Sequence, residues 1–384
     1  MKTLNVELLK SNIENRINAD MAAGKVDGVV VIVNQNGKTV YENTFGSKTP
    51  GANDSDMRMD TMYRLASMTK PITGVAAMIA IQKGYFTPED EISKYLDGFK
   101  DMDIGDVDEN GNIIIKGKAK GPVKIKHCLT HSSGIGTGPV GDKIFAQVDF
   151  NKMPTLADIV DFYKDKPLWC EPGEAQLYSP IVGLDIIARI IEIQSGMPYA
   201  DFLKKEIFEP IGMVDTTFAP TEEQWGRMVG MHNMVDGKSV PHPVFDNCVF
   251  VNFPVTYQNG GAGLASSAKD YIKFAQMLLD KGRVGDTQLV DPQLIEEMSK
   301  PQLPYHVMPA HEIWGYTVRV IVAETYKRLP VGAFGWSGAH GTHFFVDPVN
   351  NVCAIYLKNS AYDGGSGALT AAQFEEDIAA SYFA

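Results

Sequence analysis

From Ile72 to Ile81 nearly every residue is apolar or small, and the run stops at Gly84. Such a segment suits a helix buried on all sides better than one with a wet face. Ser67-Met68-Thr69-Lys70 precedes it, so a serine stands at the start of a core helix. Residues three apart on a helix are neighbours, and Ser67 and Lys70 can bring hydroxyl and amine within hydrogen-bond reach. A lysine held there, partly desolvated, can lose its proton and take one from the serine, a weak nucleophile on its own. Pro71 fits only near the first turn, where a missing N–H is tolerated.

Ser and Lys are common, and roughly one S-x-x-K is expected by chance in a chain this long. The sequence holds its own control, Ser266-Ser267-Ala268-Lys269. There Ser267, with Asp270 three positions on and an apolar run behind it, reads as a helix N-cap rather than a nucleophile. His131, among the hydroxyls of Leu129-Thr130-His131-Ser132-Ser133-Gly134, suggests a second catalytic group. The glycines at 134, 136 and 138 make an ordered loop the simpler reading. Asp106-Val107-Asp108-Glu109-Asn110-Gly111 imitates half a calcium loop, but the twelfth position is Gly117 in place of a bidentate Glu, so a hairpin turn is expected.

The net charge of −12 argues against nucleic acid or an anionic membrane surface as the main partner. The N-terminus carries no apolar leader, and no stretch approaches membrane-spanning length. Cys128, Cys170, Cys248 and Cys353 lie far apart without metal-like spacing and fit a reduced, cytoplasmic protein.

Leu9, Ile13, Ile17 and Met21 recur every four residues and predict an amphipathic helix that Gly24 can end. The β-branched run Gly28–Val33, the Asn36-Gly37 turn and Thr39–Phe45 predict a hairpin. Helices follow: Ser179 and Pro180 read as N-cap and first turn of one that Gly196 ends, which leaves Tyr178 in the preceding loop. Strands are expected again at Tyr316–Val322, His343–Asp347 and Val352–Leu357, and a closing helix from Leu369 to Phe383. Strands at both ends with helices between imply an antiparallel sheet built from the two termini, flanked by helices and interrupted by a large helical insert. We assign residues 1–64 and 310–384 to a discontinuous α/β sheet domain and 65–309 to a mainly helical one, with the site at their interface.

These residues together resemble the serine β-lactamase and penicillin-recognising superfamily, closest to its class C-like carboxylesterase branch (family VIII esterases), over essentially the whole chain. Ser67-Met68-Thr69-Lys70 matches S-x-x-K, Tyr178 the tyrosine motif, and Trp336-Ser337-Gly338 takes the place of the K-T-G strand. Leu129 to Gly134, Glu171-Pro172-Gly173, Pro210 to Met213, Gly260 to Leu264 and Gly341 to Pro348 support the match. The resemblance implies that Ser67 attacks a carbonyl, that Lys70 and Tyr178 share proton transfer, and that the N–H groups of Ser67 and Ala339 form the oxyanion hole. It calls for no metal or cofactor.

Two departures carry the substrate argument. The tyrosine motif ends in Pro180 where an Asn amide commonly contacts an acylamino group, and Trp336 replaces the lysine that attracts a carboxylate. Trp336, Ser337, Gly338, His340 and Tyr257 are expected to bind substrate, with Phe253 and Trp314 as further aromatic candidates suited to an apolar acyl or alcohol group. The expected activity is hydrolysis of a small-molecule carboxylic ester through a Ser67 acyl-enzyme. Acyl transfer, cleavage of D-amino-acid peptides or amides and weak β-lactam hydrolysis are the alternatives on the same scaffold. Whether Lys70 or Tyr178 is the acylation base is open at this level, and so is the oligomeric state.

Overall fold

The β-branched run forms strand β1 (Gly28–Gln35), buried along its whole length. It turns at Asn36-Gly37, both at positive φ, into β2 (Lys38–Gly46). This is the mirror-image turn that Asn-Gly favours, because its twist matches that of the strands it joins. The structure, a computed structural model, describes residues 1–49, 56–236, 238–241, 255–304, 311–360, 363 and 368–383. Near the other terminus lie β3 (Glu312–Trp314), β4 (Arg319–Ile321), β5 (Phe334–Gly338), β6 (Thr342–Asp347) and β7 (Val352–Lys358). They join the first hairpin in one antiparallel sheet of order β3-β4-β5-β6-β7-β1-β2. The seam between the termini is the β1–β7 ladder, with Val31 opposite Tyr356. The expected architecture, a sheet assembled from both ends of the chain with helices between, is the observed one.

Both faces of the sheet are covered, which is why its central strands read as continuous apolar runs rather than alternations. On one face Val29, Val31, Val33, Phe345 and Tyr356 pack against Leu9, Ile13 and Ile17 of α1 (Val6–Ala22) and Phe374 and Ile378 of the closing helix, residues Leu369–Ala379. On the other, Val30, Ile32, Phe344 and Ile355 belong to a larger cluster with the intervening helices. Its centre is α2 (Thr69–Gln82), on which every residue from Thr69 to Ala80 is buried. Each large aliphatic side chain buried there contributes about 1.5–3 kcal/mol. Beside α2 lie α3 (Val182–Ser195) and α4 (Ala268–Leu279); the Leu369–Ala379 helix is α5.

Some boundaries move. The helix expected from Ser179-Pro180 begins at Val182, because the Pro180 carbonyl is turned out of the helix toward Lys70. Ser179 still accepts from the Gly183 N–H at 3.1 Å, a capping contact one turn early. The strand expected over Tyr316–Val322 is cut to Arg319–Ile321, since Thr317 lies at φ +65 and its N–H is tied to the Leu129 carbonyl at 2.8 Å. The Asp-rich segment is a hairpin, Asp103–Val107 with Ile113–Lys118, and the Asp108 carboxylate accepts from the Asn110 and Asn112 N–H groups. Cys128, Cys170 and Cys353 are free thiols; Cys248 lies outside the described residues. Among the described residues no helix is long and apolar enough to cross a membrane.

Candidate active site

The chain reaches Ser67 through a tight 3₁₀ turn, Ala66–Met68, with Ala66 at φ +46. A non-glycine residue there costs of order 1 kcal/mol or more and persists only where its surroundings hold it. They do. The Leu65 N–H donates to the Leu264 carbonyl at 2.9 Å, Thr342 Oγ1 donates to the Leu65 carbonyl at 3.0 Å, and Tyr271 OH donates to the Met68 carbonyl at 2.7 Å. Gly338, at the end of β5, lies so close to this turn that a Cβ there would sit 2.2 Å from the Leu65 carbonyl oxygen. Only glycine lets the strand and the serine turn approach this closely. Ala339 follows at once, exposed in the β5–β6 turn, with His340 partly buried beside it.

Lys70 is wholly buried in the first turn of the core helix, and its Nζ lies 3.2 Å from Ser67 Oγ, 2.5 Å from the Pro180 carbonyl and 2.8 Å from the Gly261 carbonyl. Burial pulls the ammonium down from its ordinary value to about 7, with Asp185 opposing the shift. Asp185 is the buried carboxylate in the first turn of α3, itself pushed up to about 7 by burial. It accepts from Tyr257 OH, from Asn259 Nδ2 at 3.3 Å and from the Gly260 N–H at 2.8 Å. It thereby fixes the loop whose next carbonyl, that of Gly261, accepts from Lys70. The residues named from the sequence did not include Asp185. Its signal was present, however: a lone carboxylate in Val182-Gly183-Leu184-Asp185-Ile186-Ile187, where an unpaired charge does not belong.

Tyr178 comes in from the loop before α3 and donates its O–H to Ser67 Oγ at 2.8 Å. In turn Trp336 Nε1–H donates to the Tyr178 oxygen at 3.3 Å. Trp314 stacks on Tyr178 with ring centres 6.0 Å apart and meets Trp336 edge-on at 4.5 Å. Inside this aromatic box the phenol is pushed up to about 12 by burial, against the opposing hydrogen bonds of Ser67 and Trp336. At neutral pH it is a phenol, not a phenolate.

Two expected substrate contacts face elsewhere. Ser337 follows Trp336 on β5 and so points to the opposite face of the sheet, where its Oγ lies 2.8 Å from His343 Nδ1. Tyr257 is 1% exposed, with its hydroxyl on Asp185, and forms part of the wall behind Lys70 rather than a surface open to a ligand. Phe253 lies outside the described residues. Ser266 is buried in a two-stranded pairing with Tyr63 and bonded to Thr216 Oγ1 at 2.8 Å, while Ser267 caps α4, as the control reading required.

A model of the beta-lactamase family matches residues 13–376. Over 378 residues the chain is 28% identical to the esterase EstB of Burkholderia gladioli, covering 90% of this chain and 89% of that protein. It is 27% identical over 408 residues to the lovastatin esterase of Penicillium rubens, covering 95% of this chain and 97% of that one. The solved structure of EstCE1, a hydrolase with promiscuous acyltransferase activity, superimposes with a TM-score of 0.81 at 20% identity, over 97% of this chain and 99% of its own. Family match, sheet order and motif placement agree along nearly the full length, and the chain belongs to the beta-lactamase family.

Proposed function

We propose that the chain hydrolyses carboxylic esters with apolar acyl or alcohol groups through an acyl-enzyme on Ser67. The observation that carries this is the geometry around Ser67 Oγ, with Lys70 Nζ at 3.2 Å and the Tyr178 hydroxyl at 2.8 Å. A neutral lysine amine has two hydrogens and one lone pair. The carbonyls of Pro180 and Gly261 take the two hydrogens, which leaves the lone pair for the Ser67 hydroxyl. Because the Trp336 N–H occupies the Tyr178 oxygen, the phenol proton is directed at Ser67 Oγ. Lys70 is then the acylation base and Tyr178 the acid.

As Ser67 Oγ bonds to the ester carbon, its proton passes to Lys70, and the N–H groups of Ser67 and Ala339 hold the oxyanion. Collapse breaks the C–O bond, and Tyr178 gives its proton to the departing alcohol. Water then gives a proton to the Tyr178 phenolate and its oxygen to the acyl carbon. The second collapse returns Oγ to Ser67 with the proton held by Lys70, and both residues end as they began. The two esterases among the relatives support the ester reading, and the Trp314–Trp336–Tyr178 box supports an apolar group.

The test is mass mapping after brief exposure to a p-nitrophenyl butyrate ester. The Ser67 peptide is expected to gain one butyryl group, and Ser67→Ala to lose the adduct and at least about a thousandfold in turnover while melting as the parent does. Turnover that survives in Ser67→Ala overturns the reading. Adding methanol and assaying for methyl butyrate separates hydrolysis from acyl transfer.

A further inference from the structure

The residue that holds Tyr178 in place is not on the tyrosine's own segment. Residues Glu174 to Ser179 include no helix or strand, so nothing in their local structure fixes the height of the phenol over Ser67. The backbone around Tyr178 is instead bonded to the loop after Leu129. The His131 carbonyl accepts from the Leu177 N–H at 2.8 Å, and His131 Nδ1 accepts from the Ser179 N–H at 3.2 Å. Thr137 Oγ1 donates to the Tyr178 carbonyl at 2.9 Å. Between the two His131 bonds its imidazole lies against the phenol, ring centres 4.6 Å apart, with the Trp314 ring 4.5 Å away on another side.

His131 is held there against its own preferences. It is 1% exposed, its backbone lies at φ +56, and Nε2 has no hydrogen-bond partner among the described residues. With Nδ1 accepting, the hydrogen is on Nε2, and a buried N–H without an acceptor costs about 1–3 kcal/mol. An aliphatic side chain or a glycine would remove one or both penalties. Outliers of this kind collect where a site has to be held in one geometry.

We propose that His131 is a positioning residue: by fixing the backbone on both sides of Tyr178 and packing on its ring, it sets the phenol hydroxyl over Ser67. This rests on the reading of Tyr178 as the proton donor. Burial and the neighbouring Lys70 both hold the imidazole below its ordinary pKa, in the neutral form that can accept at Nδ1.

The test is steady-state hydrolysis of p-nitrophenyl butyrate by His131→Ala, His131→Asn, Tyr178→Phe and the two double variants, each with a melting curve. His131→Ala is expected to lower kcat about 10–100-fold with KM within about threefold, since a misplaced proton donor affects the transition state and not ground-state binding. His131→Asn, whose Oδ1 can take the place of Nδ1 and which tolerates positive φ, should recover most of that loss. In the Tyr178→Phe background, where no hydroxyl remains to be placed, either change should cost less than about twofold further. Additive losses overturn the proposal. So does a His131→Asn enzyme that melts normally and is as slow as His131→Ala. Full turnover by Tyr178→Phe would instead remove the reading of Tyr178, and the proposal would fall with it. If His131→Ala does not fold, His131→Gly, which suits the positive φ and likewise lacks the acceptor, takes its place in both backgrounds: a loss confined to the Tyr178 background supports positioning, and an equal loss in both overturns it.

Discussion

At the scale of single residues, the site depends on a lysine that has lost its ordinary basicity. With Lys70 lowered to about 7, kcat/KM for an ester should fall about tenfold per pH unit below neutrality, as protonation takes up the amine's lone pair. Above neutrality it should stay level until Tyr178 titrates near 12. Because Lys70 and Asp185 both titrate near 7, the acid limb belongs to the pair. Asp185 favours the ammonium, so Asp185→Asn should move that limb to lower pH. A limb that stays put, or one absent from the parent, removes Lys70 as the base. A second prediction concerns Trp336, which supplies a neutral N–H where the superfamily motif has a cation. Trp336→Phe keeps an aromatic ring but not the donor, and a hydrogen bond to a developing phenolate is worth about 1.5–3 kcal/mol. The expected loss is about 10–100-fold in kcat with little change in KM. An equal rise in KM instead would mean that the indole acts only as a binding wall and not as a donor to Tyr178. Ser67, Lys70 and Tyr178 were legible in the sequence because each sits in a short motif with its own local rule. The inward turn of Tyr257 was not, since it depends on Asp185, 72 residues away along the chain.

Strand β5 shows how an element serves two purposes at once. One face carries Trp336 to the tyrosine, and the other carries Ser337 to His343, whose Nε2 faces Glu375 of α5 at 3.3 Å. Glu375 also receives Arg319 of β4 at 2.6 Å and Tyr326 OH at 2.6 Å, and all of these groups lie under the closing helix. Burial alone would raise the Glu375 carboxyl, but Arg319 and His343 hold it well below the usual carboxylate range. Removing one charge from a buried pair leaves the other uncompensated, so Glu375→Gln should cost about 3–5 kcal/mol in urea unfolding at neutral pH. A group with a depressed folded pKa contributes its stability above the unfolded value and loses it as pH falls through the folded one. The difference between parent and variant should therefore be full at neutral pH and shrink below about pH 4. A penalty under about 1 kcal/mol would place Arg319 in water. The sheet itself was readable from the termini, because runs such as Gly28–Val33 fit only a strand covered on both faces. Element ends were not readable where distant groups take over, as the Lys70 side chain does at Pro180 and the Leu129 carbonyl at Thr317.

On the scale of the whole molecule, the sheet presents Trp336 and Ala339 from one side, while the serine turn, α2 and the loop before α3 present Ser67, Lys70 and Tyr178 from the other, so selectivity depends on what each side offers a bound carbonyl compound. A β-lactam brings an acylamino group and a carboxylate, both of which lose water on entering a cleft. Pro180 has no side-chain amide for the first, and its carbonyl is already committed to Lys70. At the K-T-G position, the second meets an indole whose N–H is committed to Tyr178. A neutral hydrogen bond is worth about 0.5–1.5 kcal/mol and one to a charge about 1.5–3, so the two together amount to about 2–4.5 kcal/mol, or roughly thirtyfold to two-thousandfold in kcat/KM. A p-nitrophenyl ester of a short fatty acid asks for neither contact. Its kcat/KM should exceed that of a chromogenic cephalosporin by at least this factor, and both should disappear together in Ser67→Ala. Restoring the cation by Trp336→Lys should narrow the gap from both ends, because it gives the carboxylate a partner and takes an apolar wall from the ester. If the cephalosporin is hydrolysed as fast as the ester by the parent enzyme, other groups around Ser67 bind its amide and carboxylate, and the two substitutions do not set the substrate class.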